Sequence, residues 1–336
     1  MCLLCLMSKK ALVIGSNSFS GSHFVNNLLS KGFTVLGTSR SKEPHKVYLP
    51  YKYNKNIEKF NYFKCDLNKN LDNLINFIKK EKPQYIVNYS AQGMVAQSWD
   101  APLDWFKTNV VSQIELQDQL RKFKFLKKYI HFSTPEVYGN TDRWIKENVF
   151  FAPNTPYATS RASCDLNLLS FFRNYDFPVI FTRAANVFGP GQQLYRIIPR
   201  AVMSCLLNIK MDLHGGGLSE RSFIDVRDTA EATYKIMIGG KSGDTYHIST
   251  RKKISIKDIV LRVFNHMEKD FDKLVKTSED RLGKDQAYLL NSNKIRKEIN
   301  WSEIYKMDET INDTINWAKQ NIEILKKMPL QYIHKK

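Results

Sequence analysis

Short runs of apolar residues alternate along this chain with longer segments in which apolar residues recur every three or four positions. Residues 11–15 (ALVIG) and 33–40 (FTVLGTSR) are typical of buried strands, and residues 20–32 between them are typical of an amphipathic helix that closes on Gly32. Strands joined through a helix by short links pair in parallel with a right-handed crossover. The start of the chain therefore predicts a β-α-β unit.

The same alternation continues through the first half of the chain. Further strands are expected at residues 60–65, 84–90, 127–133 and 178–183, and helices near residues 70–80, 103–124 and 156–174. This order predicts an α/β fold with a Rossmann-type, doubly wound parallel sheet. Ligands of such folds bind at the carboxyl ends of the strands, so residues that follow each strand are the candidates for a site.

After Gly189 the alternation of strands and helices ends, which indicates a smaller mixed α/β domain for substrate binding. There we expect helices at residues 197–209, 253–267 and 292–300 and a strand and turn at 211–217, whereas residues 221–237 return to the sheet. The predicted dinucleotide-binding domain comprises residues 1–186 and 222–250, and the nucleotide-sugar-binding domain comprises residues 187–221 and 251–330.

The turn after the first strand has the glycine spacing of a dinucleotide-binding loop. Gly15 and Gly21 stand six apart where a tight turn opens a helix, and a helix N-terminus binds pyrophosphate. Ser18 replaces the middle glycine, and its hydroxyl is a potential hydrogen-bond donor to phosphate. The candidate ligands in this turn are Gly15, Asn17, Ser18, Phe19, Ser20 and Gly21. An ordinary Gly/Ser loop is the alternative explanation.

The end of the second strand bears on the choice of cofactor. An acidic residue there binds the ribose hydroxyls of NAD, whereas an arginine meets the 2′-phosphate of NADP. This chain has Ser39 and Arg40 and no carboxylate, so NADP is favoured, with NAD as the alternative. Candidates along the next strand ends are Asp66, Leu67, Ser90, Ala91 and Gln92. A helix cap is the competing explanation for Asp66.

Candidate catalytic residues lie between residues 133 and 161. Thr134 and Glu136 follow a buried strand, and Tyr157 and Arg161 stand four apart on the next helix. A cation one turn from a tyrosine favours the phenolate, so we expect a lowered phenol pKa and a tyrosine that acts as a base. A surface pair is the alternative explanation for the spacing. Two proton-transfer groups near one cofactor suggest more than simple alcohol oxidation.

Composition narrows the class of protein. The chain has 51 Lys and Arg against 33 Asp and Glu, a net charge of +18. The lysines are dispersed without an aromatic-interleaved cluster, so we expect a basic surface that attracts phosphate-bearing ligands and no nucleic-acid partner. Cys2 and Cys5 lack the further ligands of a zinc site, so no metal is expected. No apolar run approaches a membrane span, and scattered cysteines fit a reducing cytoplasm.

The motifs occur in an order that resembles extended short-chain dehydrogenases/reductases of the nucleotide-sugar 4,6-dehydratase and epimerase group. The resemblance covers residues 9–325 and rests on the glycine turn and on the motifs CDL, NYSAQ with TNV, STPEVYG, PYATSR, RAANVFGPG, RSFIDVRD and DRLGKDQAY. It implies a nucleotide-diphosphate sugar as substrate and adds Asn109 on the cofactor side. On the diphosphate side it implies the segment from Arg196 through Ile197 to Pro199. It also implies the single residues Asn186, Arg221, Arg281 and Lys284.

The resemblance also implies roles in a 4,6-dehydration. Tyr157 is the base at O4, Thr134 hydrogen-bonds O4 and Glu136 removes the C5 proton, while the nicotinamide takes hydride from C4 and returns it to C6. A C4 ketone acidifies C5–H, so elimination of water becomes feasible without an external reductant. Decarboxylases, epimerases and 5,6-dehydratases of the same fold remain alternatives.

Two departures from the family pattern bear on activity. Arg161 stands where lysine is usual, and Pro135 stands where dTDP-glucose dehydratases have an aspartate that protonates the departing hydroxyl. Arginine keeps the positive charge but is bulkier and planar. Glu136 can serve both proton transfers, as in relatives that also lack the aspartate. A catalytically impaired binding homologue is the alternative.

Two predicted helices carry apolar faces that suggest an assembly. Their apolar residues are Trp105, Phe106, Val110, Ile114, Leu116, Leu120, Leu166, Leu168, Leu169 and Phe172. Family members pair such helices across a two-fold axis, which implies a homodimer formed through a four-helix bundle. Burial against the chain's own sheet is the alternative for some of these positions.

Overall fold

The computed structural model describes residues 9–141, 143–280, 283 and 285–335 of the chain. The strands are β1 (Lys10–Ile14), β2 (Thr34–Ser39), β3 (Phe60–Lys64), β4 (Tyr85–Asn88), β5 (Lys128–Phe132), β6 (Trp144–Ile145), β7 (Val179–Ala184), β8 (Asn186–Phe188), β9 (Met211–His214), β10 (Glu220–Arg221), β11 (Phe223–Asp225), β12 (Thr245–Ile248), β13 (Ile254–Ser255), β14 (Val275–Ser278) and β15 (Ala287–Leu290). The α-helices are α1 (Phe19–Ser30), α2 (Leu71–Glu81), α3 (Pro102–Phe106), α4 (Ser112–Leu120), α5 (Pro156–Tyr175), α6 (Ile197–Leu207), α7 (Val226–Gly239), α8 (Ile256–His266), α9 (Phe271–Leu274), α10 (Asn293–Glu298), α11 (Met307–Gln320) and α12 (Ile322–Leu325).

In this part of the chain, seven strands form one parallel sheet in the order β12-β7-β5-β4-β1-β2-β3. The chain runs outward from β1 to β3 and then returns to the other side of β1 to begin β4. Ile14 at the carboxyl end of β1 pairs with Thr38 on one side and Asn88 on the other. The strand order reverses there, which opens a crevice at the carboxyl ends of β1 and β4. The predicted doubly wound sheet is confirmed.

Successive residues of each strand face opposite sides of the sheet, and helices cover both sides. Val13 and Val87 lie in one buried cluster with residues of α1 and α7, such as Phe24. Leu12 lies in a second cluster with residues of α2, α4 and α5, such as Leu168. Because both faces are covered, the strands read as nearly continuous apolar runs. Each fully buried Leu or Phe side chain stabilises the fold by roughly 1.5–3 kcal/mol.

A second, smaller mixed domain is built on short strands and the helices α6, α8 and α11. Strands β13-β10-β15-β6 form one sheet, and β9 pairs with β14 and β8 with β11. Val202, Val260, Phe264 and Ile311 are buried together between the helices. The smaller domain is therefore confirmed, and the residue boundaries of the two domains stay a prediction.

The structure corrects two of the predicted helices. The helix expected over residues 103–124 is α3 and α4 joined by a π-helical turn, Lys107–Val111, and α4 ends at Leu120. Helix α10, expected in the smaller domain, packs on the large sheet. Its residue Ile295 is buried in the same cluster as Ile248 of β12.

Two further expectations concern features away from the sheet. Cys2 and Cys5 lie outside the described residues, and Cys65, Cys164 and Cys205 are buried free thiols. None of the described helices has the length and apolar character needed to cross a membrane.

Candidate active site

The turn after β1 closes tightly around two glycines. Gly15 has φ +84°, and a Cβ there would lie 2.9 Å from the backbone nitrogen of Ser90. A Cβ on Gly21 would lie 2.2 Å from the Gly15 carbonyl oxygen, so neither position tolerates a side chain. Ser18 caps α1, because its Oγ accepts from the N–H of Gly21 (3.1 Å) and donates to the Gly15 carbonyl (2.7 Å). Its hydroxyl thus serves the turn rather than a phosphate.

A cavity of about 1090 Å³ extends from this turn along the carboxyl ends of the strands to the smaller domain. Most of the predicted site residues line it, namely Gly15, Asn17, Ser18, Phe19, Ser20, Ser39, Arg40, Asp66, Leu67, Ser90, Ala91, Gln92, Thr134, Glu136, Tyr157, Arg161, Asn186, Arg196, Ile197 and Arg221. Gly21 and Asn109 are buried behind its wall. Arg281 and Lys284 lie outside the described residues. One cavity therefore brings together the predicted cofactor, catalytic and substrate positions.

Asn109 supports the cavity wall from within the π-helical turn. Its Oδ1 accepts from the N–H of Gln92 (2.8 Å), and its Nδ2 donates to the Gln92 carbonyl (3.1 Å) and to Oγ of Ser160 (3.0 Å). The side chain is fully buried. Asn109 thus fixes the loop after β4 against helix α5, and both of its amide N–H donors are used within the protein.

The end of β2 and the loop after β3 form the outer part of the cavity. The N–H of Asn17 donates to Oγ of Ser39 (3.0 Å), which ties the first turn to β2. Oδ1 of Asp66 accepts from the N–H of Asn68 (3.0 Å) and closes a local turn. Asn70, not Asp66, occupies the N-cap position of α2. The helix-cap explanation for Asp66 is therefore wrong.

Thr134 and Glu136 are placed by the end of β5. The chain leaves β5 into a 3₁₀ turn, Pro135–Tyr138, whose N-cap is Thr134. Oγ1 of Thr134 donates to Oε2 of Glu136 (3.1 Å). Pro135 fixes the backbone at the first position of the turn, where an N–H would have no helical partner. The turn thus aims the carboxylate into the cavity.

The Glu136 carboxyl is set up as a base that works near neutral pH. Burial raises the pKa of Glu136 to about 7, against the hydrogen bond from Thr134. The negative charge of Asp285 raises this pKa further, and the positive charges of Arg221 and Arg196 oppose it. A carboxyl that titrates near pH 7 accepts and returns protons far more readily than an exposed one.

Tyr157 enters the cavity from the first turn of α5. Thr155 caps this helix through the N–H of Ala158 (3.1 Å), and Pro156 occupies its first position. Burial raises the pKa of Tyr157, and the negative charge of Glu136 raises it too. Arg161 lowers the pKa, as expected from the sequence, but by less. The expected net lowering of the phenol pKa is therefore wrong for the protein alone.

Arg161 is fully buried one turn beyond Tyr157. Its Nη2 donates to the carbonyl of Phe132 and lies 3.2 Å from Nε2 of His131. Its Nε and Nη1 are buried and have no hydrogen-bond partner among the described residues. This excludes the surface-pair explanation, and it leaves two buried donors without an acceptor in the described part of the protein.

These residues fit a nicotinamide dinucleotide. The glycine-tight turn opens the N-terminus of α1 toward the cavity, as a pyrophosphate requires. Arg161 lines the same cavity as that turn and Tyr157, and ribose hydroxyls are suitable acceptors for its unpartnered donors.

A buried ion pair fixes the helix that carries both Tyr157 and Arg161. Asp165, one turn further along α5, accepts from Nη2 of Arg183 (2.7 Å) and from Oγ of Ser133 (2.7 Å). Burial opposes ionisation of Asp165, but the charge of Arg183 and the neighbouring hydrogen bonds hold its pKa well below the usual range. The pair therefore ties α5 to β7 and to the residue before Thr134.

The substrate side of the cavity contains a carboxyl that the sequence did not single out. Asp285 is buried, and its Oδ1 accepts from Nδ2 of Asn154 (2.8 Å). Arg221 donates to the backbone carbonyls of Asp285 (2.6 Å) and Gln286 (3.0 Å) and stacks on the ring of Tyr288 (4.2 Å). Asp285 belongs to the DRLGKDQAY motif, and only the fold shows that it lines the same cavity as Glu136 and acts on its charge.

A Rossmann sheet whose cavity at the strand ends joins a glycine turn to a tyrosine, an arginine and a glutamate defines an enzyme of the extended short-chain dehydrogenase/reductase class. The sequence profile described as GDP-mannose 4,6 dehydratase matches residues 12–314. The chain belongs to this family.

Relatives and solved structures agree with that assignment. The dTDP-glucose 4,6-dehydratase of Escherichia coli is 26% identical over 354 residues, with 94% of each chain covered. A trifunctional UDP-glucose 4,6-dehydratase/UDP-4-keto-6-deoxy-D-glucose 3,5-epimerase/UDP-4-keto-L-rhamnose-reductase of Arabidopsis thaliana is 28% identical over 323 residues. This match covers 94% of this chain but 48% of the plant protein, so the chain spans about half the length of such relatives.

A crystal structure of dTDP-glucose 4,6-dehydratase from Bacillus anthracis in complex with NAD superposes with a TM-score of 0.85 at 26% identity. It covers 96% of this chain and 100% of that one.

Proposed function

We propose that this protein is a nucleotide-sugar 4,6-dehydratase that converts an NDP-hexose to an NDP-4-keto-6-deoxyhexose. The observation that carries the proposal is the position of Glu136, whose carboxyl has a pKa of about 7 in the same cavity as Tyr157. An epimerase that only oxidises and reduces C4 has no use for a carboxyl tuned in this way. The family of the chain and the dehydratase activity of its relatives support the proposal.

In the proposed reaction, three residues of this chain have separate roles. Tyr157 takes the proton from O4, and Thr134 hydrogen-bonds the same oxygen. A bound nicotinamide would supply hydride-transfer chemistry between C4 and C6, and its positive charge would favour the Tyr157 phenolate. Glu136 takes the proton from C5, which the C4 ketone has acidified.

The hydroxyl then leaves C6, and Glu136 donates to it the proton that it took from C5, so that water departs. Pro135 has no proton to give, which makes Glu136 the acid as well as the base at this step. Solvent afterwards supplies the proton that C5 regains, and Tyr157 returns to solvent the proton that it took from O4. The net reaction removes one water and consumes no external reductant.

The cofactor is a nicotinamide dinucleotide, and we propose NADP on the ground of Arg40. The end of β2 has no carboxylate, and Arg40 lies at the cavity wall. Neighbouring structures contain NAD, so the choice requires a direct test. Arg40→Ala should weaken NADP by at least about tenfold more than NAD in calorimetry, because only NADP offers a 2′-phosphate to the guanidinium. Equal losses for the two cofactors would exclude this role.

The proposed substrate is a hexose linked to a nucleoside diphosphate. Arg196, Arg221 and Asn186 line the end of the cavity next to the smaller domain, where charge-assisted hydrogen bonds can hold diphosphate oxygens. dTDP-glucose, UDP-glucose and GDP-mannose are the substrates to compare, first by thermal shift, because a specific ligand in large excess stabilises the folded protein.

The decisive experiment follows the product in D₂O. A 4,6-dehydratase yields a 4-keto-6-deoxy product that has lost one water and carries solvent deuterium at C5, detected by NMR and mass spectrometry. A product that keeps its C6 oxygen would indicate an epimerase. A product that has lost carbon dioxide would indicate a decarboxylase, and either result would overturn the proposal.

We also propose the homodimer, on the ground of apolar residues left exposed on the two helices. Leu103 on α3, Val111 in the π-helical turn and Leu166 on α5 are 82%, 52% and 52% exposed. A second copy of the chain would cover them in a four-helix bundle. Leu166→Glu should shift the protein to a monomer in analytical ultracentrifugation. A wild-type protein that sediments as a monomer would contradict the proposed dimer.

A further inference from the structure

After α12 the chain crosses the outer side of the cavity instead of ending on the smaller domain. The carbonyl of Leu330 accepts from Nη1 of Arg200 (2.9 Å). Further on, Nε2 of His334 lies 2.7 Å from Oδ2 of Asp104, and the His334 ring stacks on Trp105 with centroids 5.1 Å apart. Residues 328–335, which we call the strap, are therefore fixed to α6 of the smaller domain and to α3 of the larger one.

The strap ends on two residues predicted to bind the cofactor. The carbonyl of Lys335 accepts from Nη1 of Arg40 (3.0 Å) and from Nε2 of Gln92 (2.7 Å). Gln92 follows β4 and Arg40 follows β2, so this one carbonyl bridges the strand ends that flank β1. The strap thus passes over the part of the cavity that begins at the glycine turn.

Side chains of the strap face the same cavity. Met328, Pro329, Gln331, Tyr332, Ile333 and Lys335 line it together with the glycine turn. Tyr332 packs edge-on against the ring of Tyr195, with centroids 5.4 Å apart. The floor of the dinucleotide region is therefore built by β1 and α1, and its outer wall by the strap.

We propose that residues 328–335 are part of the dinucleotide-binding site and retain the cofactor by closing that site from outside. The inference rests on the proposed function, in which each turnover restores the cofactor to its starting state, so that release is unnecessary between turnovers. The wall then slows the escape of the dinucleotide without slowing entry of the sugar nucleotide from the smaller domain.

The test compares cofactor dissociation from the wild type and from three variants of the protein. One form ends at Lys327, the second carries His334→Ala with Tyr332→Ala, and the third carries Lys326→Ala as a matched control. Lys326 is an exposed residue that pairs with Glu323 (2.6 Å) just before the strap. Dissociation of NADH and NADPH is followed by the loss of dinucleotide fluorescence when excess oxidised cofactor is added.

Truncation and the double variant should each raise the dissociation rate by at least about tenfold, because charge-assisted hydrogen bonds and ring contacts at the wall are lost. The control should match the wild type. Circular dichroism and thermal unfolding without cofactor distinguish a lost wall from a damaged fold. Dissociation rates unchanged or lowered in both strap variants, with the fold intact, would overturn the inference.

The outcome separates this inference from the proposed function. If the wild type dehydrates no nucleotide sugar but the strap variants still release dinucleotide faster, the function is wrong and the wall is supported. If dehydration occurs and release is unaffected by the strap, the function stands and the wall is wrong.

Discussion

Glu136→Gln should make the ligand-free protein more stable at alkaline pH while abolishing turnover. The pKa of Glu136 is about 7 in the folded protein, against about 4.3 in an unfolded chain. The folded state therefore binds this proton more tightly. The contribution of this proton to the free energy of unfolding is complete at pH 4 and below and is lost as pH rises through about 7. Above that pH the buried charge is a cost that glutamine removes.

The magnitude follows from the same two pKa values. One pKa unit is worth about 1.4 kcal/mol, so the ceiling is about 4 kcal/mol at pH 8.5. The side chain lines an open cavity where water screens its charge, so we expect about 1–2 kcal/mol. At pH 5 the two proteins should differ by about 0.5 kcal/mol or less, because pH 5 lies less than one unit above the pKa of the unfolded chain and most of the stability is lost between there and pH 7.

Urea unfolding at pH 5, 6, 7 and 8.5 measures the difference. Glu220→Gln is the control, since Glu220 is a 42% exposed carboxylate paired with Lys253 (2.6 Å). It should show little change in stability across this range. If Glu136→Gln stabilises the protein equally at pH 5 and 8.5, or destabilises it at pH 8.5, the reasoning from burial is refuted. Normal turnover by the variant would remove Glu136 from the mechanism.

Three further predictions concern the surrounding groups. The wild-type kcat/KM should rise with pH through an apparent pKa near 7. Asp285→Asn should shift this rise to lower pH, because it removes a negative charge that raises the pKa of Glu136. A pH profile that does not shift would count against an effect of Asp285 on Glu136. Tyr157→Phe should lower kcat by at least about a hundredfold with nucleotide-sugar affinity nearly unchanged, measured by steady-state kinetics and calorimetry, and near-normal turnover would exclude the phenol as base. Asp165→Asn should cost about 3–5 kcal/mol in urea unfolding because it leaves a buried arginine charge uncompensated, and a loss below about 1 kcal/mol would show that the pair is dispensable.

The large sheet could be predicted because residues close together in the sequence mark each of its strands and helices. Buried parallel strands are short apolar runs, and turn residues such as Gly32 mark where helices end, so β1 to β5 and β7 fell close to their expected ranges. The π-helical turn at Lys107–Val111 could not be predicted in this way. It contains Asn109, whose hydrogen bonds with Gln92 join separate parts of the chain, and apolar periodicity does not report such contacts.

The candidate site divides in the same manner. Thr134, Glu136, Tyr157 and Arg161 follow from motif order, and they meet because parallel strands bring their carboxyl ends to one edge. The Tyr157 pKa could not be predicted from spacing alone, because burial and Glu136 outweigh Arg161. Residues 328–335 form neither strand nor α-helix, and their contacts with Arg40 and Asp104 span most of the chain.

The path of residues 328–335 has a practical consequence for anyone who handles the protein. A purification tag or fusion partner attached after Lys336 would be joined one residue beyond Lys335, which contacts Arg40 and Gln92 in the lining of the cavity. Every binding measurement on such a sample would include the effect of the attachment on the cavity. Lys9 precedes β1 and lies at the opposite edge of the parallel sheet from the cavity, so a tag placed ahead of it keeps its distance. Samples tagged at that end are the appropriate starting material for cofactor work.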